Sequence, residues 1–319
     1  MFRFLVVALC ALAAPALAQQ FPIPGKPIRI IVPFTPGGAT DLQARAIAQK
    51  MNASMGIAVT VENKPGGATV IWAREVQKAA PDGHTLLYTI TTHVQIPMIF
   101  SPPPFDTFKD FTPITAGGLG GTVLTVHTSL PVHNVRELIA HAKANPGKLS
   151  YASFGTGSSA HLNGEMLNRV GGLDITHVPY KGAGDATRDV LAGQVHLFFD
   201  GVNTAINNAK TGKVRMLAAA TDRRIPLLPD LPTLREQGFD IGIDGFLAFF
   251  GPAGMSPSVV DGVYRELAKA IATQEIKDIF FNIGYATGGM PPAEFERLAK
   301  SLQERWGVVI RQLGIKIEQ

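Results

Sequence analysis

Two glycine-rich stretches contain the residues whose types and spacing could do chemistry. The first runs from Thr35 to Asp41 (Thr-Pro-Gly-Gly-Ala-Thr-Asp) and the second from Ser153 to His161 (Ser-Phe-Gly-Thr-Gly-Ser-Ser-Ala-His). Each follows an apolar run typical of a strand and precedes a helical pattern, so that backbone N–H groups and the positive end of a helix dipole are left without partners. Such groups bind anions. Two loops of this kind facing each other would therefore form a receptor for an anion.

The second stretch has two other interpretations, one as a cofactor-binding motif and one as a catalytic site. Gly155 to Ala160 fits the dinucleotide pattern G-x-G-x-x-A, with Asp174 nineteen residues beyond Gly155. The acidic residue of that pattern should end the next strand, whereas Asp174 begins it. Ser158 and Ser159 near His161 suggest a nucleophile and its base, but no G-x-S-x-G elbow is present, and a serine at a helix start is usually a cap.

The same inventory gives no support to a metal centre or a cofactor. The eight histidines include no i, i+4 pair, and Cys10 is the single cysteine. We therefore predict no catalytic residue, no metal ligand and no cofactor. A secreted α/β enzyme that uses the Gly155–Ala160 loop for a nucleotide or an acyl substrate stays open as the alternative.

Further polar residues follow predicted strands, at the edge where a parallel sheet presents ligand contacts. For Asp200, capping of the helix that begins near Val202 is favoured over ligand contact. Thr40 could equally cap the helix after the first loop, where Asp41 is expected to hold the loop rather than touch the ligand. The candidate ligand-binding residues of the loops and strand ends are Thr35, Gly37, Gly38, Ala39, Thr40, Thr91, Thr92, Ser153, Gly157, Ser158, Ser159, Ala160, His161, Tyr180 and Asp200.

The elements that must position these loops alternate between strand and helix, which predicts parallel sheets covered on both faces. Apolar runs predict strands at 28–32, 58–62, 85–90, 175–178, 195–199 and 214–220, with helices between them, and three helices after residue 257. The proline-rich segment 97–113 is interpreted as a long surface loop. Segments 112–126 and 245–251 are interpreted as crossings between two α/β lobes, an architecture in which a ligand closes a cleft.

Composition places the chain outside the cytoplasm. Arg3, the apolar run from Phe4 to Ala14 and Ala16-Leu17-Ala18 form a signal peptide over residues 1–18, and Cys10 leaves with it. The formal charge of +4 becomes +3 without Arg3, and the basic residues are dispersed, so nucleic acid is not an expected partner. We expect a periplasmic monomer.

These residues resemble a known family, the Bug-type periplasmic receptors of the tripartite tricarboxylate transporter system. The similar segments run nearly from end to end and include 32–41, 61–67, 80–87, 151–162, 178–182, 212–215 and 228–233. The resemblance implies a two-lobed periplasmic-binding-protein fold of the second type, with lobe 1 over 19–122 completed by 247–319, and lobe 2 over 123–246. It also implies a small organic carboxylate, whether a dicarboxylate, an aromatic acid or an amino acid, held without catalysis. Membrane transporter subunits or a sensor kinase would be the partners.

The sequence departs from the family pattern at four places. Trp72 stands where glycine is common, Phe246 where tryptophan is usual and Ala39 where proline is common, while Gly184-Asp185 replaces the usual x-Pro. Phe246 thereby joins the candidate ligand-binding residues. We hypothesise that Trp72 or Phe246 reshapes the pocket wall for an aromatic or bulkier acid.

Overall fold

The computed structural model describes residues 21–65 and 70–318, and it divides the strands between two main sheets. The predicted signal peptide lies outside the described residues. The first sheet has the strand order β12-β5-β11-β3-β1-β2, and the second has the order β10-β6-β9-β7-β8. The strands of the first are β1 (Ile28–Val32), β2 (Val59–Asn63), β3 (Thr85–Ile90), β5 (Phe111–Gly120), β11 (Gly245–Pro252) and β12 (Ala286–Thr287). Those of the second are β6 (Thr122–His127), β7 (Leu149–Ser153), β8 (Ile175–Pro179), β9 (Leu197–Gly201) and β10 (Val214–Ala220). A small parallel pair joins β4 (Phe100–Ser101) to β13 (Ile317–Glu318).

Most strands of each main sheet run in one direction. β1, β2 and β3 are mutually parallel, and β5 shares their direction because β11 is antiparallel to both β3 and β5. In the second sheet β7, β8 and β9 are parallel, and β6 runs against β9 and β10. The carboxyl ends of the parallel strands in each sheet therefore meet at one edge.

Helices cover both faces of the sheets, as the alternating pattern predicted. Helices α1, α8 and α9 pack on one face of the first sheet, α2, α3 and α10 on the other, and α4 to α7 flank the second sheet. Their bounds are α1 (Ala39–Met55), α2 (Val70–Gln77), α3 (Thr92–Ile99), α4 (Val135–Ala144), α5 (Ser159–Gly171), α6 (Ala183–Leu191), α7 (Val202–Lys210), α8 (Pro257–Ile271), α9 (Gln274–Asn282) and α10 (Pro292–Leu313).

The segment predicted as a long loop is partly helical, so that prediction is wrong in its first part. α3 continues through Pro97 to Ile99 and leads into β4. A proline at this position cannot donate to the carbonyl of His93, four residues earlier. The hydroxyl of Thr107 donates to that carbonyl instead, over 2.9 Å, which replaces the missing hydrogen bond.

Two crossings connect the sheets. The chain passes from β5 to β6 through Gly121 and returns between the end of β10 and the start of β11. At the return crossing, the N–H of Asp222 donates to Asp244 and the N–H of Asp244 donates to Asp222, over 3.0 and 3.3 Å. Arg305 of α10 adds two hydrogen bonds to the Asp222 carboxylate, at 2.9 and 2.6 Å, which fixes the crossing to the first lobe.

Candidate functional site

A cleft of about 430 Å³ lies between the two sheet edges at which the parallel strands end. Loops from both sheets line it, and they come close to each other at one point. A Cβ atom on Gly182, which follows β8, would lie only 3.2 Å from the Oγ1 of Thr35, which follows β1. The side chains and backbone groups that line this cleft belong to Phe34, Thr35, Pro36, Gly37, Gly38, Thr40, Leu42, Ile90, Thr122, Phe154, Gly182, Ala183, Gly184, Thr187, Gly201, Asn203, Thr204, Leu247, Ile283 and Tyr285.

Three helices direct their N-termini at this cleft, and each has a glycine as its N-cap. The N-caps are Gly38 of α1, Gly182 of α6 and Gly201 of α7. Because glycine has no side chain, none of the three helices has a side-chain hydrogen bond from its N-cap. The first-turn N–H groups of a helix have no intrahelical acceptor and carry the positive end of the dipole. The N-termini of these three helices, one from the first lobe and two from the second, therefore place backbone N–H donors without acceptors around the same cleft.

Three helices outside this set are capped by side chains, whereas α3, α9 and α10 have neither a glycine N-cap nor a side-chain capping bond. Asn134, Ser158 and Ser256 accept hydrogen bonds from the first turns of α4, α5 and α8. At α4, the N–H of Glu137 donates to the Asn134 side chain over 2.9 Å. The glycine N-caps at the cleft are thus a local feature and not a general property of the chain.

The remaining surface of the cleft is mainly apolar. Phe34, Phe154 and Tyr285 provide aromatic rings, and among the residues that line it none has a charged side chain. Burial raises the pKa of Tyr285 to about 12, so its phenol stays neutral and can donate a hydrogen bond. The arrangement suits a ligand with an anionic group and an apolar body.

The loop after β1 is held in place by Asp41, as the sequence predicted. The N–H of Gly37 donates to the Asp41 carboxylate over 2.9 Å, and the Nε of Arg45 donates to it over 3.1 Å. Asp41 is only 2% exposed. Burial alone would raise the pKa of Asp41, but these donors outweigh burial and hold the pKa below its usual value.

The sequence-predicted residues of the first loop come together at the cleft. Thr35, Gly37, Gly38 and Thr40 line it, and α1 begins at Ala39. The N-cap is Gly38 and not Thr40, so the capping alternative for Thr40 is wrong.

In the second loop, several polar groups have hydrogen-bond partners within the same lobe and do not line the cleft. The N–H of Gly157 donates to the Nδ1 of His161 over 3.1 Å, and Ser158 caps α5. The Oγ of Ser153 lies 2.7 Å from the Nε2 of His177. The His177 ring stacks on that of His161, with ring centroids 4.1 Å apart. Burial lowers the pKa of His161 to about 4, and burial together with the nearby His161 lowers the pKa of His177 to about 3. Both rings are therefore neutral at pH 7.

Further predicted residues do not line the cleft either. Tyr180 donates to Asp189 over 2.9 Å. Asp200 is fully buried, accepts hydrogen bonds from the Gly201 N–H and the Asn208 amide, and is not the N-cap of α7. Thr92 and Ala160 are buried and line neither the cleft nor the chamber described next.

A small chamber of about 40 Å³ opens off the cleft at the strand crossings. Thr91 and Ser159, both predicted from the sequence, line it together with Phe246, whose N–H donates to the Oγ1 of Thr91 over 2.8 Å. Asn163 also lines the chamber and was missed by the sequence analysis.

The Trp72 part of the pocket-wall hypothesis is wrong, because Trp72 is completely buried and lines neither space. It packs in the core between the first sheet and α10, with its ring 6.0 Å from that of His93. Of the two rings, only that of Phe246 lines the chamber.

Comparisons with known proteins give the family. The sequence model of the family described as tripartite tricarboxylate transporter family receptor matches residues 43–315. The chain belongs to this receptor family. It is also 30% identical to protein BugT of Bordetella pertussis (strain Tohama I) over 315 residues, 98% of this chain and 96% of BugT.

Solved structures agree with this family. An R. palustris protein solved with adipate has a TM-score of 0.87 and 30% identity, covering 93% of this receptor and 99% of that chain. MatC from Rhodopseudomonas palustris, with bound malate, has a TM-score of 0.84 and 28% identity, covering 90% and 100%. The predicted two-lobed periplasmic-binding-protein fold is thereby confirmed, as is the resemblance to Bug-type receptors.

Family membership assigns the receptor a solute-binding and not a catalytic role, so the enzyme alternative falls away. Within residues 21–65 and 70–318, no three His, Cys, Asp or Glu side chains are arranged to hold a metal ion. Over the same ranges, no helix is both long enough and apolar enough to cross a membrane.

Proposed function

We propose that this receptor binds a small organic carboxylate in the periplasm by closing its two lobes over the cleft. The observation that carries the proposal is the convergence of the uncapped helix N-termini of α1, α6 and α7, whose N-caps are Gly38, Gly182 and Gly201. N–H donors and helix dipoles favour an anion there. The adipate and malate in the related structures are carboxylates, which supports the same ligand class.

Lobe closure follows from the position of these donors. α1 belongs to the first lobe, whereas α6 and α7 flank the second sheet, so an anion that contacts all three termini bridges the lobes. The bound receptor would deliver its ligand to the membrane subunits of a tripartite transporter. A sensor kinase is the other partner that a closed, ligand-bound receptor could engage.

The site can be tested by placing a carboxylate side chain at the N-cap of two of these helices. Gly38 and Gly201 have extended backbone angles, with φ of −73° and −63°, and a Cβ atom would meet nothing nearer than 3.6 and 3.9 Å. Gly38→Asp and Gly201→Asp should therefore cap their helices. We expect each variant to be more stable than the wild type by about 0.5–1 kcal/mol without ligand.

The same variants should lose the carboxylate ligand, because an aspartate at the N-cap occupies the donors and repels a second anion. The measurement is calorimetric titration and thermal shift with succinate, adipate, benzoate and glutamate, each beside its uncharged amide. At 100 times the dissociation constant, a bound acid adds about 2.7 kcal/mol to the stability of the wild type. The matched control is Ser256→Asp, which changes the N-cap of α8 away from the cleft and should leave affinity unaltered. Equal binding of acids and amides, or wild-type affinity in both glycine variants, would overturn the proposal.

A further inference from the structure

The small chamber beside the cleft has the size of one substituent. Its volume is about 40 Å³, which exceeds the roughly 10–15 Å³ that a cavity needs to hold one water molecule. Ile90, Thr122, Phe154 and Tyr285 line both the cleft and the chamber, so a group attached to a ligand in the cleft can enter it.

Asn163 supplies an unused hydrogen-bond acceptor in this chamber. Its side chain is on α5, its residue is 1% exposed, and its Nδ2 donates to the Oγ1 of Thr122 over 3.3 Å. Its Oδ1 is buried and has no hydrogen-bond partner within the described part of the chain. Buried polar atoms in native proteins are nearly always paired, so this oxygen is available to a donor from outside the chain, either a water molecule or a ligand group.

Three hydroxyl groups line the same chamber and each already accepts a hydrogen bond. Ser159 accepts from the amide of Gln95 over 3.0 Å, Thr91 accepts from the N–H of Phe246 over 2.8 Å, and Thr122 accepts from Asn163. A hydroxyl that accepts still has its own hydrogen to donate. The chamber therefore offers an amide oxygen that needs a donor and hydroxyls that need an acceptor.

A hydroxyl group meets both needs, because it donates one hydrogen bond and accepts two. An ammonium group only donates, and a methyl group does neither. We propose that the chamber is a subsite for a hydroxyl substituent of the ligand, and that Asn163 selects hydroxy acids over the corresponding unsubstituted acids. This inference rests on the proposed carboxylate-binding function and adds a specificity-determining residue to it.

The test compares matched acids in calorimetric titrations of the full mature chain. The probes are malate and succinate, 3-hydroxybenzoate and benzoate, and 3-hydroxybutyrate and butyrate. We expect the wild type to bind the hydroxy acid at least tenfold more tightly than its parent in at least one pair. Asn163→Leu, which keeps the size of the side chain and removes the acceptor, should reduce this ratio to less than about twofold and leave the affinity for the parent acid within about twofold.

Two further variants separate selectivity from general damage. Asn163→Ala tests the same acceptor in case leucine does not fit. Asn203→Leu changes an asparagine that lines the cleft but not the chamber, so it should alter the affinity for both acids of a pair alike and keep their ratio. If the parent acids bind but no pair shows a preference, the chamber holds only a water molecule and the subsite is refuted. A preference that survives both Asn163 variants refutes the role of Asn163. Failure of all six acids to bind the wild type would overturn the proposed function itself, and the subsite with it.

Discussion

Replacing Asp41 with asparagine should weaken both the fold and the ligand site by releasing the loop after β1. The Asp41 carboxylate accepts from the N–H of Gly37 and from Arg45, and Gly37 and Gly38 line the cleft. Asparagine has the same shape but no charge, so it can keep only a weaker, neutral hydrogen bond. The variant therefore tests whether a charged clamp outside the cleft positions the donors inside it.

The size of the effect follows from the two contacts. A hydrogen bond to a charged group contributes about 1.5–3 kcal/mol, and a neutral replacement retains roughly half of it. The Arg45 side chain is 50% exposed, so its contact adds only about 0.5 kcal/mol. We expect the free energy of unfolding to fall by about 1–2 kcal/mol, and the affinity for the bound carboxylate to fall about tenfold, because the loop no longer has a single position.

The pH dependence of the free energy of unfolding gives a second measure of the Asp41 contacts. The pKa of Asp41 lies below its usual value, because the Gly37 N–H and Arg45 outweigh the effect of burial. A lowered pKa stabilises the fold above the unfolded value of about 3.9, and that stabilisation is lost as the pH falls through the folded pKa. The stability difference between wild type and Asp41→Asn should thus be constant near pH 7 and shrink below about pH 4.

The assay is urea unfolding at several pH values together with calorimetric titration, with Asp106→Asn as the control. Asp106 accepts from the backbone N–H groups of Phe108 and Lys109 over 3.0 and 3.1 Å, in the turn that precedes β5, at the opposite end of that strand from the cleft. The control should lose comparable stability and no affinity. If Asp41→Asn binds ligand as tightly as Asp106→Asn does, the loop does not depend on the clamp, and the reasoning is refuted.

Two more predictions concern closure and the crossing between lobes. Gly182→Val should hold the lobes apart, because a Cβ atom at this position would lie only 3.2 Å from the Oγ1 of Thr35. We expect at least a tenfold loss of ligand affinity and no ligand-induced compaction in small-angle scattering. Compaction equal to that of the wild type would contradict this. Arg305→Met removes two donors from the partly exposed Asp222 carboxylate, so unfolding in urea should show a loss of about 1 kcal/mol. A double variant with Asp222→Asn should recover part of that loss, whereas additive losses would show that the two side chains do not interact.

Most of the fold could be predicted from the sequence because its strands are buried and bounded by turn residues. The predicted strands at 85–90 and 214–220 agree with β3 and β10 at both ends. The error at 97–113 has a tertiary cause. Pro97 indicates the end of a helix, and only the distant Thr107, which donates to the carbonyl that Pro97 leaves free, allows α3 to continue.

The loops that line the candidate cleft could be predicted from the sequence, but the individual side chains that line it could not. The strand-end rule found the loops after β8 and β9, yet it selected Tyr180 and Asp200, whose side chains turn to Asp189 and into the core. Their neighbours Gly182 and Gly201 line the cleft instead. The pattern of a strand, a glycine and a helix, which identified the first loop, also describes these two positions. Side-chain direction at a strand end depends on packing across the sheet, which the local sequence does not contain.

Anion recognition through backbone N–H groups has a consequence for how such receptors diversify. An arginine that binds a carboxylate can be lost by a single base change, whereas a main-chain N–H remains after any substitution except proline. The apolar wall and the chamber can therefore vary by point mutation while the backbone N–H groups still bind the charged end of the ligand. Gene duplicates of this receptor could acquire new acids one substitution at a time, without passing through a form that has lost the ability to bind an acid.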